Sequence, residues 1–132
     1  MRAVVDSSCI VAVAFHEPAA ERVTLRMHGY AELFAANLLE AEVHAAARRE
    51  GRHLAATLTE NLQWIHPLRP LNAEIAAVFE AGYLRGADAW HVACALWLAG
   101  DSPADLDFLT LDRRQADIAA ALGLSVPELG AI

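Results

Sequence analysis

The order of segments along the chain predicts an α/β protein built on a mostly parallel sheet with helices on both faces. Three observations lead to it. Short apolar runs alternate with helical stretches along the chain, as crossovers between parallel strands require. One helical stretch, residues 87–98, is apolar on almost every side and so belongs in an interior. No serine/glycine-rich linker, repeat or low-complexity tract breaks the order, so the 132 residues read as one domain, 1–132.

Residues 2–5 form a short apolar run bounded by Asp6 and read as a buried first strand. Residues 7–13 open a helix, with Ser7 or Ser8 as its cap. Residues 17–27 give a second helix, with Pro18 in the first turn where no amide donor is missed. Residues 32–35 are a short strand. Asn37 caps a long helix running to about Arg49, and Gly51 ends it. Residues 53–62 continue as another helix, and residues 64–68 are a strand stopped by Pro67. Residues 71–84 are helical, Gly86 breaks the pattern, and the apolar stretch 87–98 follows. Residues 107–111 are a strand, 113–122 a helix closed by Gly123, and 124–126 a fifth strand.

Hydrophobic residues make up 56% of the chain and charged residues 20%, the balance of an ordered globular protein. No apolar run reaches the roughly 18–20 residues of a membrane span. The opening Met-Arg-Ala-Val-Val-Asp lacks the apolar stretch of a signal peptide. The expected location is cytoplasmic. Cys9 and Cys94 lie in apolar helical context and are expected to be buried and reduced; without a CxxC pair, a zinc site is not indicated.

The net charge is −7, and all ten basic residues are arginine. That balance argues against non-specific binding of nucleic acid and fits a protein that recruits cations before it approaches a phosphate. The absence of lysine excludes a P-loop, a Schiff base and a phosphorelay receiver. A haloacid-dehalogenase phosphatase also begins with a strand-ending aspartate, but needs a lysine and a second aspartate where this chain has Ser8.

Ligands of open parallel sheets bind beyond the carboxyl ends of the strands. Asp6 and Asp112 directly follow predicted strands and should face that crevice, although either residue type would also serve as a helix cap. Glu42 falls inside the apolar arc set by Leu38, Leu39 and Val43, whereas Glu40 falls with His44 and Arg48 on the polar side. A carboxylate aimed inward is costly without a metal or a partner such as Arg49. Asp88 starts the apolar helix, where the helix dipole favours an acid.

Together these acids would share one crevice. Two like charges about 4 Å apart repel by roughly 4 kcal/mol at an effective dielectric of 20, so the cluster calls for divalent cations. An all-oxygen donor set suits Mg²⁺ or Mn²⁺, and carboxylate-held metals on a phosphate are the parts needed for in-line phosphodiester hydrolysis. Among the six histidines only His91 stands out, one turn from Asp88 on a buried helix.

The chain resembles PIN domains, and more narrowly the VapC-type toxins of bacterial toxin–antitoxin pairs. The resemblance rests on Val-Val-Asp6-Ser-Ser, Phe-His-Glu-Pro, Leu-Leu-Glu-Ala-Glu42-Val, Gly-Ala-Asp88-Ala-Trp-His-Val-Ala and Phe-Leu-Thr-Leu-Asp112-Arg-Arg, in that order. It implies a three-layer α/β/α sandwich with five parallel strands and an Mg²⁺- or Mn²⁺-dependent endoribonuclease. Asp6, Glu42, Asp88 and Asp112 would bind metal directly or through water, and Ser7 and Thr110 would support them from behind. Many relatives carry an acid two residues after the last motif aspartate. Here that position is Arg114, and the next acid is Asp117, a weaker ligand candidate.

Arg113 and Arg114 could steer the RNA backbone. The resemblance further implies a homodimer and a cognate VapB-like antitoxin seated in the acidic groove. The rival reading is a non-catalytic PIN-like module that binds RNA or protein. Nothing in the residues themselves selects RNA over DNA.

Overall fold

The computed structural model, which describes residues 1–129, has strands at Arg2–Val5 (β1), Glu32–Ala36 (β2), Leu62–Ile65 (β3) and Leu106–Leu109 (β4). Its helices are Ser7–Ala14 (α1), Ala20–His28 (α2), Leu39–Arg49 (α3), Asn72–Ala81 (α4), Gly86–Ala99 (α5) and Arg113–Ala121 (α6). All strand pairs are parallel, in the order β3-β2-β1-β4. Ala3 sits between Leu33 and Asp107 in the register.

The period of two along the strands sorts their side chains between two cores. Val4, Ala36, Ile65, Leu106 and Phe108 face a layer containing Val78, Val92, Ala93 and Ile118 from α4, α5 and α6. Ala3, Val5, Leu33, Ala35 and Leu109 face Cys9, Ile10, Val23, Leu39 and Val43 from α1, α2 and α3. With helices on both faces, each strand carries apolar residues on both its sides. The sandwich is therefore α/β/α, as the sequence predicts. Cys9 and Cys94 are buried, unbridged and assigned to opposite layers, and burial pushes the Cys94 thiol up to about 12.

Several local expectations are corrected. Residues 53–62 are not a helix: the stretch runs through turns into β3. Leu54 and Leu58 have helical spacing, but the amides of Leu58, Glu60 and Leu62 bond three residues back, to Ala55, Thr57 and Thr59. Thr57, Thr59 and Asn61 are poor helix formers, and the chain tightens to enter the strand. The fifth strand shrinks to one parallel bridge, Asp107 to Ser125. There the Phe108 amide donates to the Ser125 carbonyl at 2.8 Å and the Ser125 amide to Leu106 at 3.1 Å.

The cap of α1 is Asp6 rather than a serine. Asn37 does not cap α3; Leu38 holds that position without a side-chain bond, and Asn37 accepts a 3.0 Å bond from the Trp90 indole. The second helix starts at Ala20, after Pro18 rather than around it. Gly51 does end α3, with φ of 63° and its own amide and that of Arg52 bonded back to Arg48 and Ala47.

Candidate active site

Because the strands are parallel, their carboxyl ends share one rim, and the helices that follow them start there. Asp6 leaves β1 and caps α1, its carboxylate accepting the Ser8 amide at 3.0 Å. Asp112 follows β4 and caps α6, accepting the Gln115 amide at 2.9 Å. Glu42 lies in the first turn of α3 and Asp88 in the first turn of α5. Each acid thus stands at a helix N-terminus, which carries roughly half a positive charge. Four such ends, with Arg85 just before α5, help four carboxylates collect in a chain without lysine.

The electrostatics tie the acids together. Burial pushes the Asp88 carboxyl up from the usual aspartate range, the charges of Asp6 and Asp112 raise it further, Arg85 opposes, and Glu42 adds to the rise. One carboxyl therefore senses the other three. His91 is fully buried between them: its Nε2 bonds Glu42 Oε1 and lies 3.9 Å from Asp6 Oδ1. Burial alone disfavours the imidazolium, but the Glu42 bond and the charges of Asp6, Glu42 and Asp88 outweigh it, so the His91 pKa is raised. Its Nδ1 has no hydrogen-bond partner among the described residues.

Glu42 is therefore held by histidine and not by arginine. Arg49 pairs instead with Glu50 at 3.4 Å on the surface, and Glu40 is exposed.

Behind the acids lies a polar network. Thr110 Oγ1 donates to Gln115 Oε1 at 2.6 Å and accepts the Asp112 amide at 3.0 Å. The hydroxyl that meets it from α1 belongs to Ser8 rather than Ser7: Ser8 Oγ is 3.4 Å from Thr110 Oγ1 and accepts the Leu111 amide at 3.1 Å. Gln115, fully buried, donates through Nε2 to Asp6 Oδ1 and to the Asp88 carbonyl, both at 3.1 Å.

Sequence reading missed Gln115. Asp112 and Gln115 have the spacing of a capping box, in which the glutamine would reach back to the cap amide. Here Thr110 takes that amide, which frees the glutamine to cross the rim.

Arg113, Arg114 and Asp117 are exposed on α6. Arg113 and Asp117 line an open groove of about 500 Å³ that begins at Thr110 and Asp112 and runs past Glu17 and Arg22. Asp117 thus stands on the groove wall beyond Asp112.

No three His, Cys, Asp or Glu side chains among the described residues form a ready-made metal cage. Asp6, Asp112 and Glu42 each already have an oxygen engaged with a protein donor or the histidine. The donor chemistry nonetheless fits a hard divalent ion: oxygen ligands, a carboxyl raised by its acidic neighbours, and free lone pairs on each acid.

The PIN-domain family model matches residues 3–121, and the chain belongs to that family. PIN domains are generally nucleases and typically use divalent metal ions. Among solved structures, the crystal structure of PAE2754 from Pyrobaculum aerophilum is similar, with a TM-score of 0.59 and 18% identity over 96% of this chain and 83% of the other. That likeness concerns the fold. No functionally curated protein matches the chain at a significant level.

Proposed function

We propose that this protein is a single-domain, Mg²⁺- or Mn²⁺-dependent endoribonuclease, the toxin member of a VapBC-type toxin–antitoxin pair. The observation that carries the nuclease reading is the gathering of the acids at one rim: His91 Nε2 bonds Glu42 and lies 3.9 Å from Asp6, and Gln115 ties Asp6 to the start of α5 and to Asp112. Acids from four separate elements act on one point at the rim where a parallel sheet binds ligands. The toxin assignment rests on the resemblance of the Asp6, Glu42, Asp88 and Asp112 motifs and their spacing.

In this reading Asp6, Glu42, Asp88 and Asp112 would hold the ion. A bound divalent ion supplies neutralisation of the phosphate and activation of water for in-line attack, which leaves a 5′-phosphate and a 3′-hydroxyl. The chain supplies positioning. Asp88 would face the ion from the first turn of α5, His91 fixes Glu42, and the Thr110 and Ser8 hydroxyls set the turn after β4 that bears Asp112. Arg113 and Arg114 steer the RNA backbone along the groove beside Asp112. A homodimer, a VapB-like antitoxin in the acidic groove and a cytoplasmic setting complete the proposal. No helix among the described residues is long and apolar enough to cross a membrane.

The test is cleavage of a panel of structured RNAs with Mg²⁺ or Mn²⁺, with EDTA as control. Metal-dependent products bearing 5′-phosphates support the reading. The lack of a ready-made ion cage favours one alternative, a non-catalytic RNA- or protein-binding module. RNA retained without cleavage at any divalent concentration would establish that alternative instead.

A further inference from the structure

We infer that Gln115 is the positioning residue of the acid cluster: its neutral carboxamide locks three acid-bearing elements together in the register a divalent cation needs. The inference rests on the reading of these acids as a cation site. Gln115 has no exposed surface, and each hydrogen-bonding part of it is directed at one of those elements. Its Nε2 donates to Asp6 Oδ1 after β1 and to the Asp88 carbonyl at the start of α5. Its Oε1 accepts from Thr110 beside β4, and its backbone amide donates to Asp112 Oδ1.

The direction of each bond requires an amide. Thr110 Oγ1 accepts the Asp112 amide, which leaves its proton for Gln115 Oε1. With the oxygen so engaged, the –NH₂ must face Asp6 and Asp88. A glutamate could not donate in the same way and would add a fifth negative charge. An aliphatic side chain would leave buried polar groups unpaired.

The bond to Asp6 has a second consequence. With the Ser8 amide on Oδ2 and Gln115 on Oδ1, both carboxylate oxygens are fixed in direction, yet each keeps a lone pair for a metal. Gln115 supplies donor character to Asp6 without adding a charge of either sign to the cluster. Groups that orient metal ligands in this way typically control affinity by roughly tenfold to a hundredfold.

The experiment compares the full chain with Gln115→Met and Tyr30→Phe. Mn²⁺ binding is measured by calorimetry, and steady-state cleavage of an RNA substrate is followed with saturating Mn²⁺. Tyr30→Phe breaks a part-buried bond to Asp107, near the start of β4 at the opposite end of the strands, and controls for loss of stability alone. Gln115→Met is expected to weaken Mn²⁺ binding about tenfold or more, with kcat falling at little change in KM, whereas Tyr30→Phe leaves Mn²⁺ affinity unchanged. Equal Mn²⁺ affinity in Gln115→Met and the native chain overturns the inference.

Should Gln115→Met not fold, Gln115→Glu carries the test. Its metal-free melting temperature falls, and Mn²⁺ raises it by less than in the native chain, because the glutamate cannot donate to Asp6 and to the start of α5; an equal or larger Mn²⁺-induced rise overturns the inference. A native chain that binds Mn²⁺ but cleaves no RNA defeats the nuclease reading while the affinity result still judges Gln115. A native chain that binds no Mn²⁺ defeats both.

Discussion

Two aspartates are buried at opposite ends of the sheet, and they do different work. Asp6 lies beyond the last residue of β1, 3% exposed, and Asp107 near the start of β4, 8% exposed. Asp107 accepts a hydrogen bond from the Tyr30 phenol, and burial followed by that carboxylate pushes the phenol well above the usual tyrosine range. It is one acid with one neutral donor, and Arg26 acts on that phenol in the opposite sense. Asp6 also has its donors, Ser8 and Gln115, but it is joined by Glu42, Asp88 and Asp112 and by a buried histidine. Burial of a carboxylate is therefore common to both ends, and convergence of several carboxylates belongs only to one. The convergence, not the burial, marks the site.

The largest expected effect separates the two aspartates directly. Asp6→Asn should reduce metal-dependent RNA cleavage by at least about a hundredfold, while its metal-free melting temperature holds or rises because repulsion is relieved. Tyr30→Phe should do the reverse, leaving cleavage intact and costing about 1.5–3 kcal/mol in urea unfolding, since it strips a hydrogen bond from a buried carboxylate. If Tyr30→Phe lost activity while Asp6→Asn kept it, the comparison would be inverted and the site misplaced.

The pH dependence sharpens the same contrast. Asp88 has a folded-state pKa above its unfolded value, so the fold holds that proton more tightly and gains stability as pH falls from neutral through the raised value toward about 4. His91 is also raised; its contribution is complete below about 6.5 and is lost as pH climbs through its folded value. Both groups make the metal-free protein more stable in mild acid than at neutral pH. Thermal melts of Asp88→Asn should show a flatter profile in acid, and saturating Mn²⁺ should flatten the native profile too. A native metal-free protein most stable at alkaline pH would contradict the arrangement.

The smallest effect lies away from the rim, where α1 ends. His16 adopts a φ of 53°, with its amide bonded to Val13 and that of Glu17 to Ala12, the same helix-ending bonds that Gly51 makes for α3. Left-handed backbone disfavours a side chain by roughly 1–2 kcal/mol. His16→Gly should therefore raise stability by about 0.5–1 kcal/mol without touching cleavage. A loss of activity there would extend the functional region to the far end of α1.

The sequence made the layered fold readable because its signals were local and repeated. Val4 and Val5, the all-round apolar α5 and the glycine after α3 each follow from spacing alone. Residues 53–62 misled because Leu54 and Leu58 keep a helical interval while the backbone bonds three residues back. The short bridge at Ser125 could not be told from a full strand, since a few apolar residues look alike in either case.

The four acids are legible from strand ends, from the inward arc of α3 and from the start of the apolar α5. Their supports are less so. Gln115 sits where a capping box would place a glutamine, and only the fold shows its side chain crossing to Asp6. Ser8 fits a helix cap by sequence, yet its hydroxyl reaches Thr110 and Leu111 just beyond β4, more than a hundred residues away.

The most direct measurement is anomalous diffraction from crystals of the native protein soaked in Mn²⁺. The account predicts a manganese peak at the carboxyl rim of the sheet, bonded to oxygens of both Asp6 and Asp88 with Glu42 or Asp112 alongside. Manganese elsewhere, or a rim that stays empty at millimolar Mn²⁺ while RNA is still cleaved, would contradict it.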